Sequence, residues 1–207
     1  MDATNQRGKS RQLPSPVFIS VVDPTPLGPI WVAVSERGLL AVEFVAGEAE
    51  MRTVLQRRGY EEILHDQQAC ATVARQLREY LAGERSTFDL EVDWTVMTPF
   101  QEQALRATFA IPYGQINTYA QVARQIGKPR AARAVGRAEA TNPMPLVIPC
   151  HRVVGSDGAL HGYGGRGGLD TKAWLLRMES GKETQVVKSN ENVPSRTGKN
   201  ELSKFLP

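Results

Sequence analysis

The chain has 207 residues, a formal net charge of +3 and two cysteines. No apolar run approaches the roughly 18 residues that a membrane helix needs, and the polar start lacks the apolar core of a signal peptide. Two cysteines make no disulfide framework, so we expect a protein of a reducing compartment, cytoplasmic or, in a eukaryote, nuclear, without membrane contact.

Charge is divided unevenly along the chain. Residues 97–181 carry ten Lys and Arg against five Asp and Glu, whereas residues 15–96 carry seven against thirteen. The basic segment suits a polyanion such as DNA, and the acidic segment is expected to face away from phosphates. Ordinary variation in surface charge is the alternative explanation.

The predicted organisation is two domains between two tails. The ends of the chain, residues 1–14 and 182–207, are polar without hydrophobic periodicity and are predicted to be disordered. We place the domain boundary near residue 96, which gives domains over residues 15–96 and 97–181.

The first domain begins with β-type sequence and continues with helical sequence. Short β-branched or apolar runs predict a small antiparallel sheet, and they are Val17–Val22, Ile30–Ser35 and Leu39–Phe44. Helices are predicted over Glu48–Arg58 and Gln67–Leu81, followed by a strand over Thr87–Trp94. The second helix places Cys70 and Tyr80 on its core face. His65 and Cys70 alone are too few for a metal site, so no metal is expected.

The second domain is predicted to contain a helix-turn-helix. Thr98 and Pro99 are suited to the N-cap and first position of a helix that runs to about Ala110. Two shorter helices, from Thr118 to about Ile126 and from Arg130 to about Ala140, are separated by a Gly-Lys-Pro break. The last of these is rich in Ala and Gly, which allows close approach to another surface, either DNA or a neighbouring helix.

A cysteine and a histidine stand side by side in Pro149-Cys150-His151-Arg152, after the apolar run 146–148. We expect Cys150 at the end of a buried strand. An adjacent imidazole that takes the proton turns a thiol into a nucleophile, whereas an isolated buried cysteine is usually inert.

This segment and its surroundings resemble the O6-alkylguanine-DNA alkyltransferases over residues 97–180. The shared motifs, in matching order and spacing, are Tyr113-Gly114, Thr118-Tyr119, Ala132 to Gly136, Asn142 to Pro145, Pro149 to Val154, Gly162 to Gly165, and Trp174 to Leu176 with Glu179. The resemblance implies an α/β protein. A small ribonuclease-H-like α/β N-terminal domain is followed by a mainly helical C-terminal domain with the helix-turn-helix and the active-site cysteine.

The resemblance also assigns chemical roles. Cys150 accepts the alkyl group, His151 is the general base acting through a water, and Glu179 orients the histidine. Tyr119 donates to a ring nitrogen of the leaving guanine. Asn142 braces the turn that precedes the cysteine.

Further residues are assigned to DNA and to the base. Arg133 fills the gap left by a flipped base, Arg130 contacts phosphate, and small residues admit the helix to the minor groove, namely Ala132, Ala134 and Gly136. The carbonyl of Val153 accepts from the guanine amino group, and Tyr163 walls the pocket. Backbone amides of a loop that begins at Gly164 contact the alkylated oxygen. This loop is about two residues longer than the common family pattern.

The expected function is direct-reversal DNA repair by a monomer on double-stranded DNA. O6-alkylguanine, and also O4-alkylthymine, would be flipped out, and the alkyl group transferred irreversibly to Cys150 without a cofactor, so that each molecule acts once. The alternatives are a non-catalytic sensor of alkylated DNA and a cysteine hydrolase. The hydrolase explains neither the small-residue helix nor the basic segment. A weak sliding-clamp contact is also predicted for the C-terminal tail, through Leu202, Phe205 and Leu206.

Overall fold

The computed structural model describes residues 16–163 and 167–181. The predicted tails, the C-terminal clamp peptide and Gly164 lie outside the described residues. None of the described helices is long and apolar enough to cross a membrane.

The first part of the chain forms a mixed β-sheet. Its strands are β1 (Val17–Val22), β2 (Ile30–Ser35), β3 (Gly38–Glu43) and β4 (Ile63–His65). Within the described residues their order is β3-β2-β1-β4, with β1 antiparallel to β2 and β2 antiparallel to β3. The predicted antiparallel pairing of these first three strands is confirmed, but β4, which pairs in parallel with β1, was not predicted from the sequence. That strand has three residues and one buried side chain, so it leaves no alternating pattern.

Two helices pack with this sheet, α1 (Glu48–Arg57) and α2 (Ala71–Leu81). The second begins four residues later than predicted, because the Asp66 carboxylate accepts hydrogen bonds from the amides of Gln68 and Ala69 and holds a turn there. Cys70 is buried, as predicted.

His65 and Cys70 have separate hydrogen-bond partners. The Nδ1 atom of His65 lies 2.7 Å from Glu48, and the Cys70 thiol lies 3.5 Å from the carbonyl of Phe18. In the described part of the chain, no group of three or more His, Cys, Asp and Glu could hold a metal ion.

The strand predicted over Thr87–Trp94 is wrong. The Gln76 side chain binds both the amide and the carbonyl of Asp89 at 2.8 Å, which occupies backbone groups that a strand partner would use. Within this segment only Val92 makes an isolated bridge, to Leu39, and a 3₁₀ helix follows at Trp94–Val96.

The second part is mainly helical. Its elements are α3 (Pro99–Phe109), β5 (Asn117–Thr118), α4 (Tyr119–Gln125), α5 (Ala132–Ala140), β6 (Val153–Val154) and α6 (Gly168–Glu179). The predicted caps are confirmed: Thr98 accepts from the amide of Gln101, and Thr118 forms a capping box with Gln121. Helix α5 begins two residues later than predicted.

One hydrophobic core joins the two parts of the chain. Val42 and Leu77 from the first part belong to the same buried cluster as Leu105 and Cys150 from the second. The amide of Val42 also donates to the carbonyl of Pro143 at 2.9 Å. Side chains of the first part therefore reach the surroundings of the candidate nucleophile.

Both the backbone conformation at position 38 and the closeness of a neighbouring carbonyl require glycine there. Its φ is +107°, and an added Cβ would collide with the carbonyl of Glu91. We expect Gly38→Ala to lower the free energy of unfolding by about 2–3 kcal/mol in urea titrations. Gly47→Ala is the control, with open space around it and an extended backbone, and it should cost under about 1 kcal/mol. Equal losses would contradict this account.

Candidate active site

Cys150 lies at the start of a 3₁₀ helix, Cys150–Arg152, and not at the end of a strand as predicted. The preceding apolar residues form a turn because their backbone groups bond locally. The amide of Ile148 donates to the carbonyl of Met144, and the amide of Cys150 donates to the carbonyl of Ile148, both at 2.8 Å. Leu146 in this turn has a φ of +74°, an unusual conformation for a non-glycine residue.

Asn142 braces this turn. Its side-chain nitrogen donates to the carbonyl of Ile148 at 2.8 Å, and its oxygen accepts from the amide of Met144 at 3.0 Å. Its side chain also stabilises the ionised form of Cys150 by hydrogen bonding. The geometry thus agrees with the bracing role expected from sequence.

Cys150 is buried, with the residue 4% exposed. Burial, and next the charge of Glu139, raise its pKa to about 12, which outweighs the opposing effects of Asn142 and Lys172. The resting sulfur is therefore a thiol. It needs a proton acceptor during any nucleophilic attack.

His151 and Glu179 form a buried pair. The Nε2 atom of His151 lies 2.8 Å from Oε1 of Glu179, and both side chains are at most 1% exposed. Burial lowers the pKa of His151, while Glu179 opposes the shift, so the imidazole is neutral. An ionised carboxylate only accepts, so Nε2 carries the proton and Nδ1 is the basic nitrogen. This Nδ1 has no hydrogen-bond partner among the described residues.

Glu179 is held by donors from several segments. Arg152 donates to both carboxylate oxygens at 2.9 Å, and the amide of Gly114 donates at 3.2 Å. Tyr80, from the first part of the chain, donates at 2.5 Å. Burial alone would raise the pKa of Glu179, but the hydrogen bonds and charges of His151 and Arg152 lower it to about 2. The carboxylate is therefore ionised at neutral pH.

Lys172 lies at the centre of a second polar cluster. Its Nζ donates to the carbonyls of Val153 at 2.6 Å and His161 at 3.0 Å, and lies 3.5 Å from the Tyr119 hydroxyl. Burial lowers its pKa to about 8. Burial, then the charges of Glu139 and Cys150, raise the pKa of Tyr119 to about 12, so the phenol remains a hydrogen-bond donor.

Glu139 is a buried acid on the inner face of α5. One carboxylate oxygen accepts from the Thr108 hydroxyl at 2.6 Å, and the other has no partner among the described residues. Burial raises its pKa to about 7, which outweighs the opposing effects of Thr108 and Lys172. Sequence reasoning did not single out Glu139 or Lys172, since a charged residue within a helix usually faces solvent.

An open cleft of about 530 Å³ lies beside these clusters. One wall is formed by α4 and α5 through Tyr119, Ala132, Arg133 and Gly136, and the other by the segment 155–162. Cys150 does not line the cleft.

The other predicted site residues differ in their exposure to solvent. Arg130 and Ala134 are exposed on or just before α5. Tyr163 is buried, and its hydroxyl is an unpaired polar atom among the described residues.

Two protein families match the chain, one on each side of residues 95–98. Residues 99–181 match the family described as 6-O-methylguanine DNA methyltransferase, DNA binding domain, and residues 21–94 match its ribonuclease-like domain. The chain is also 42% identical over 160 residues to the methylated-DNA–protein-cysteine methyltransferase of Shigella flexneri, covering 75% of this chain and 91% of that protein. The chain belongs to the methylated-DNA–protein-cysteine methyltransferase family.

Solved structures agree with this family membership. The methyltransferase chain resembles the crystal structure of Mycobacterium tuberculosis OGT in complex with DNA, with a TM-score of 0.69 and 34% identity over 82% of this chain and 97% of that one. The M. tuberculosis O6-methylguanine methyltransferase structure gives a TM-score of 0.67 and 36% identity over 81% and 94%. The family and the fold class expected from sequence are confirmed.

The methyltransferase should show no reactive thiol in its native state. Cys70 and Cys150 are both buried, and burial is the main reason that each pKa is raised to about 12. We expect native protein at pH 8 to react with Ellman's reagent far more slowly than denatured protein, which should release two equivalents. One fast equivalent from the native protein would contradict the burial of Cys150.

Proposed function

We propose that this methyltransferase repairs O6-alkylguanine in double-stranded DNA by transferring the alkyl group to the sulfur of Cys150. The observation that carries the proposal is the combination of a buried thiol and a neutral histidine next to it in the chain, whose proton is fixed on Nε2 by an ionised glutamate. This arrangement leaves a basic nitrogen, Nδ1 of His151, for the thiol proton.

The reaction balances with these groups. His151 takes the proton of Cys150, directly or through a water, as the sulfur forms a bond to the alkyl carbon and the bond from that carbon to O6 breaks. The electron pair of the broken bond passes into the purine, which leaves as its lactam. Tyr119, a protonated phenol, gives the ring nitrogen the proton that the neutral lactam needs, and Lys172, whose Nζ lies 3.5 Å from the Tyr119 hydroxyl, can return a proton to the phenolate. The product is a stable thioether that no group in the site can cleave, so each molecule acts once.

The target base must leave the duplex to reach the sulfur. Because Cys150 is buried and does not line the cleft, base flipping has to be accompanied by opening of the pocket. Arg133, exposed on the cleft wall, is proposed to replace the flipped base, and the exposed Arg130 is proposed to contact phosphate. The protein is proposed to act as a monomer.

The carbonyl of Val153 is proposed to recognise the purine. It already accepts from Lys172, and its second lone pair can accept from the guanine amino group. Tyr163 is proposed to close the pocket wall beside Cys150. O4-alkylthymine lacks that amino group, so we expect it to be repaired more slowly than O6-alkylguanine.

The test is intact mass and peptide mapping after mixing the protein with an oligonucleotide that carries O6-methylguanine. One methyl group should appear on the peptide with Cys150, and none on the Cys70 peptide. A Cys150→Ala variant should bind the oligonucleotide without gaining mass. If wild-type protein binds but gains no methyl group, it is a damage sensor. Neither binding nor mass gain would reject the proposal.

Gly136 allows the proposed role of α5 to be separated from folding. An added Cβ would lie 3.7 Å from the Tyr119 ring, an ordinary contact, so the fold does not require glycine here. We expect Gly136→Ala to raise the free energy of unfolding by about 0.5–1 kcal/mol and to weaken DNA binding. Calorimetry and fluorescence anisotropy measure the two effects. Unchanged affinity would show that DNA does not approach this position closely.

A further inference from the structure

Tyr80 is the side chain from the ribonuclease-like part of the protein that enters the His151–Glu179 pair. It lies in the last turn of α2, is 0% exposed, and is 99 positions from Glu179 in sequence. Its hydroxyl donates to Oε1 of Glu179 at 2.5 Å and lies 3.2 Å from Nε2 of His151.

We propose that Tyr80 is a positioning residue for alkyl transfer, through which the N-terminal part fixes the orientation of His151. The inference rests on the proposed function, since it concerns the same reaction. Tyr80 does not touch the sulfur or the substrate in this scheme. It acts on the base through Glu179 and the imidazole ring.

The hydrogen-bond directions support this role. Burial, and next the charge of Glu179, raise the pKa of Tyr80 well above its ordinary value, so its hydroxyl always carries a proton. That proton goes to Glu179, which leaves the phenol oxygen as an acceptor facing Nε2 of His151. The Nε2 proton then has two acceptors, Glu179 and Tyr80, on the same side of the ring. Both acceptors favour the tautomer in which Nε2 carries the proton and Nδ1 is free to accept one.

The charged groups around Tyr80 predict how the loss of its hydroxyl would change the pKa of His151. The titratable and charged groups that act on it are Glu179, Arg152, Tyr163 and His151. The Tyr113 ring packs edge-on against it, with centroids 6.3 Å apart. Without the phenol, Glu179 loses a donor and its negative charge acts more strongly on His151. The imidazolium is then favoured, so the pKa of His151 rises.

Tyr80→Phe removes only the hydroxyl. The ring keeps its packing on Phe88, with centroids 5.1 Å apart, and on Tyr113. We expect single-turnover transfer from O6-methylguanine DNA to slow about tenfold, with unchanged DNA affinity. The acid limb of the pH–rate profile should move to higher pH, because His151 is protonated more readily.

Leu77→Ala is the matched control. Leu77 lies one turn earlier in α2, is fully buried, and has no group that could bond Glu179. Its loss should destabilise the protein without moving the pH–rate profile. If Tyr80→Phe slows transfer but leaves the profile where Leu77→Ala leaves it, Tyr80 is only structural and the inference fails.

The ¹⁵N chemical shifts of the His151 ring test the same point directly. They should show the Nε2-protonated tautomer at neutral pH in the wild-type protein, and in Tyr80→Phe they should show the ring becoming doubly protonated at a higher pH. A wild-type Nδ1-protonated ring would overturn the inference. Wild-type protein that transfers no methyl group would instead reject the proposed function, so the two failures are distinguishable.

Discussion

Replacing Glu179 by Gln is expected to lower the free energy of unfolding by about 3–5 kcal/mol at pH 7 and to remove most of the transfer activity. The carboxylate is the counter-charge of Arg152, and both side chains are nearly inaccessible, at 1% and 7% exposed. A neutral amide leaves the guanidinium buried without a counter-charge. With an amide at position 179, Nε2 of His151 no longer has to carry the proton, so the basic ring nitrogen is no longer fixed.

Urea titrations and single-turnover rates measure the two losses. The folded-state pKa of Glu179 is lowered from 4.5 to about 2, so its stabilisation is present above pH 4.5 and is lost as the pH falls towards 2. The difference in the free energy of unfolding between wild type and Glu179→Gln should decrease over that range. Glu102→Gln is the control, because its exposed pair with Arg106 should contribute under about 1 kcal/mol. A Glu179→Gln protein of wild-type stability at pH 7 would contradict the arrangement.

Glu139→Gln is expected to have the opposite effect and to stabilise the protein at pH 8, by roughly 3 kcal/mol. The pKa of Glu139 is raised by burial from 4.5 to about 7. The folded state therefore holds a proton that the unfolded state releases between those values. Ionisation of Glu139 lowers the free energy of unfolding as the pH rises from 4.5 to 7, and this loss stays constant above pH 7.

The stabilisation by Glu139→Gln should disappear below about pH 4.5, where both states of the wild type are protonated. Transfer at pH 8 should also be faster, because the Glu139 charge raises the pKa of Cys150. Thermal unfolding at a series of pH values, with transfer rates at pH 8, measures both effects. A stability difference that does not change between pH 4 and pH 8 would mean that Glu139 does not titrate in this range.

The sequence was most informative where local chemistry decides the structure. Thr98 and Thr118 cap helices at the predicted positions, because an N-cap needs only a hydroxyl and the amides two or three residues later. The strand expected at Thr87–Trp94 failed because the Gln76 amide, distant in sequence, takes the backbone groups of Asp89. No local pattern encodes that competition.

At the candidate site, too, local motifs could be predicted from sequence, whereas contacts that depend on packing could not. The motif around Cys150 and its resemblance to a known family were sufficient to predict the histidine and the glutamate that lie together. Tyr80 appeared only as one more core position on a helix, since periodicity reports which face is buried and not what a hydroxyl will meet. Glu139 and Lys172 were missed because burial of a charge depends on the packing of several helices.

Helix α6 supplies both Lys172 and Glu179, and it is the last described element of the chain. During synthesis Cys150, the proposed nucleophile, therefore leaves the ribosome before the lysine of its polar surroundings and before the glutamate proposed to orient its base. A chain that ended before residue 168 would contain Cys150 and His151 without the lysine that binds the pocket carbonyls or the carboxylate that sets the tautomer. Such truncated chains would be thiol-containing fragments rather than partly active repair proteins.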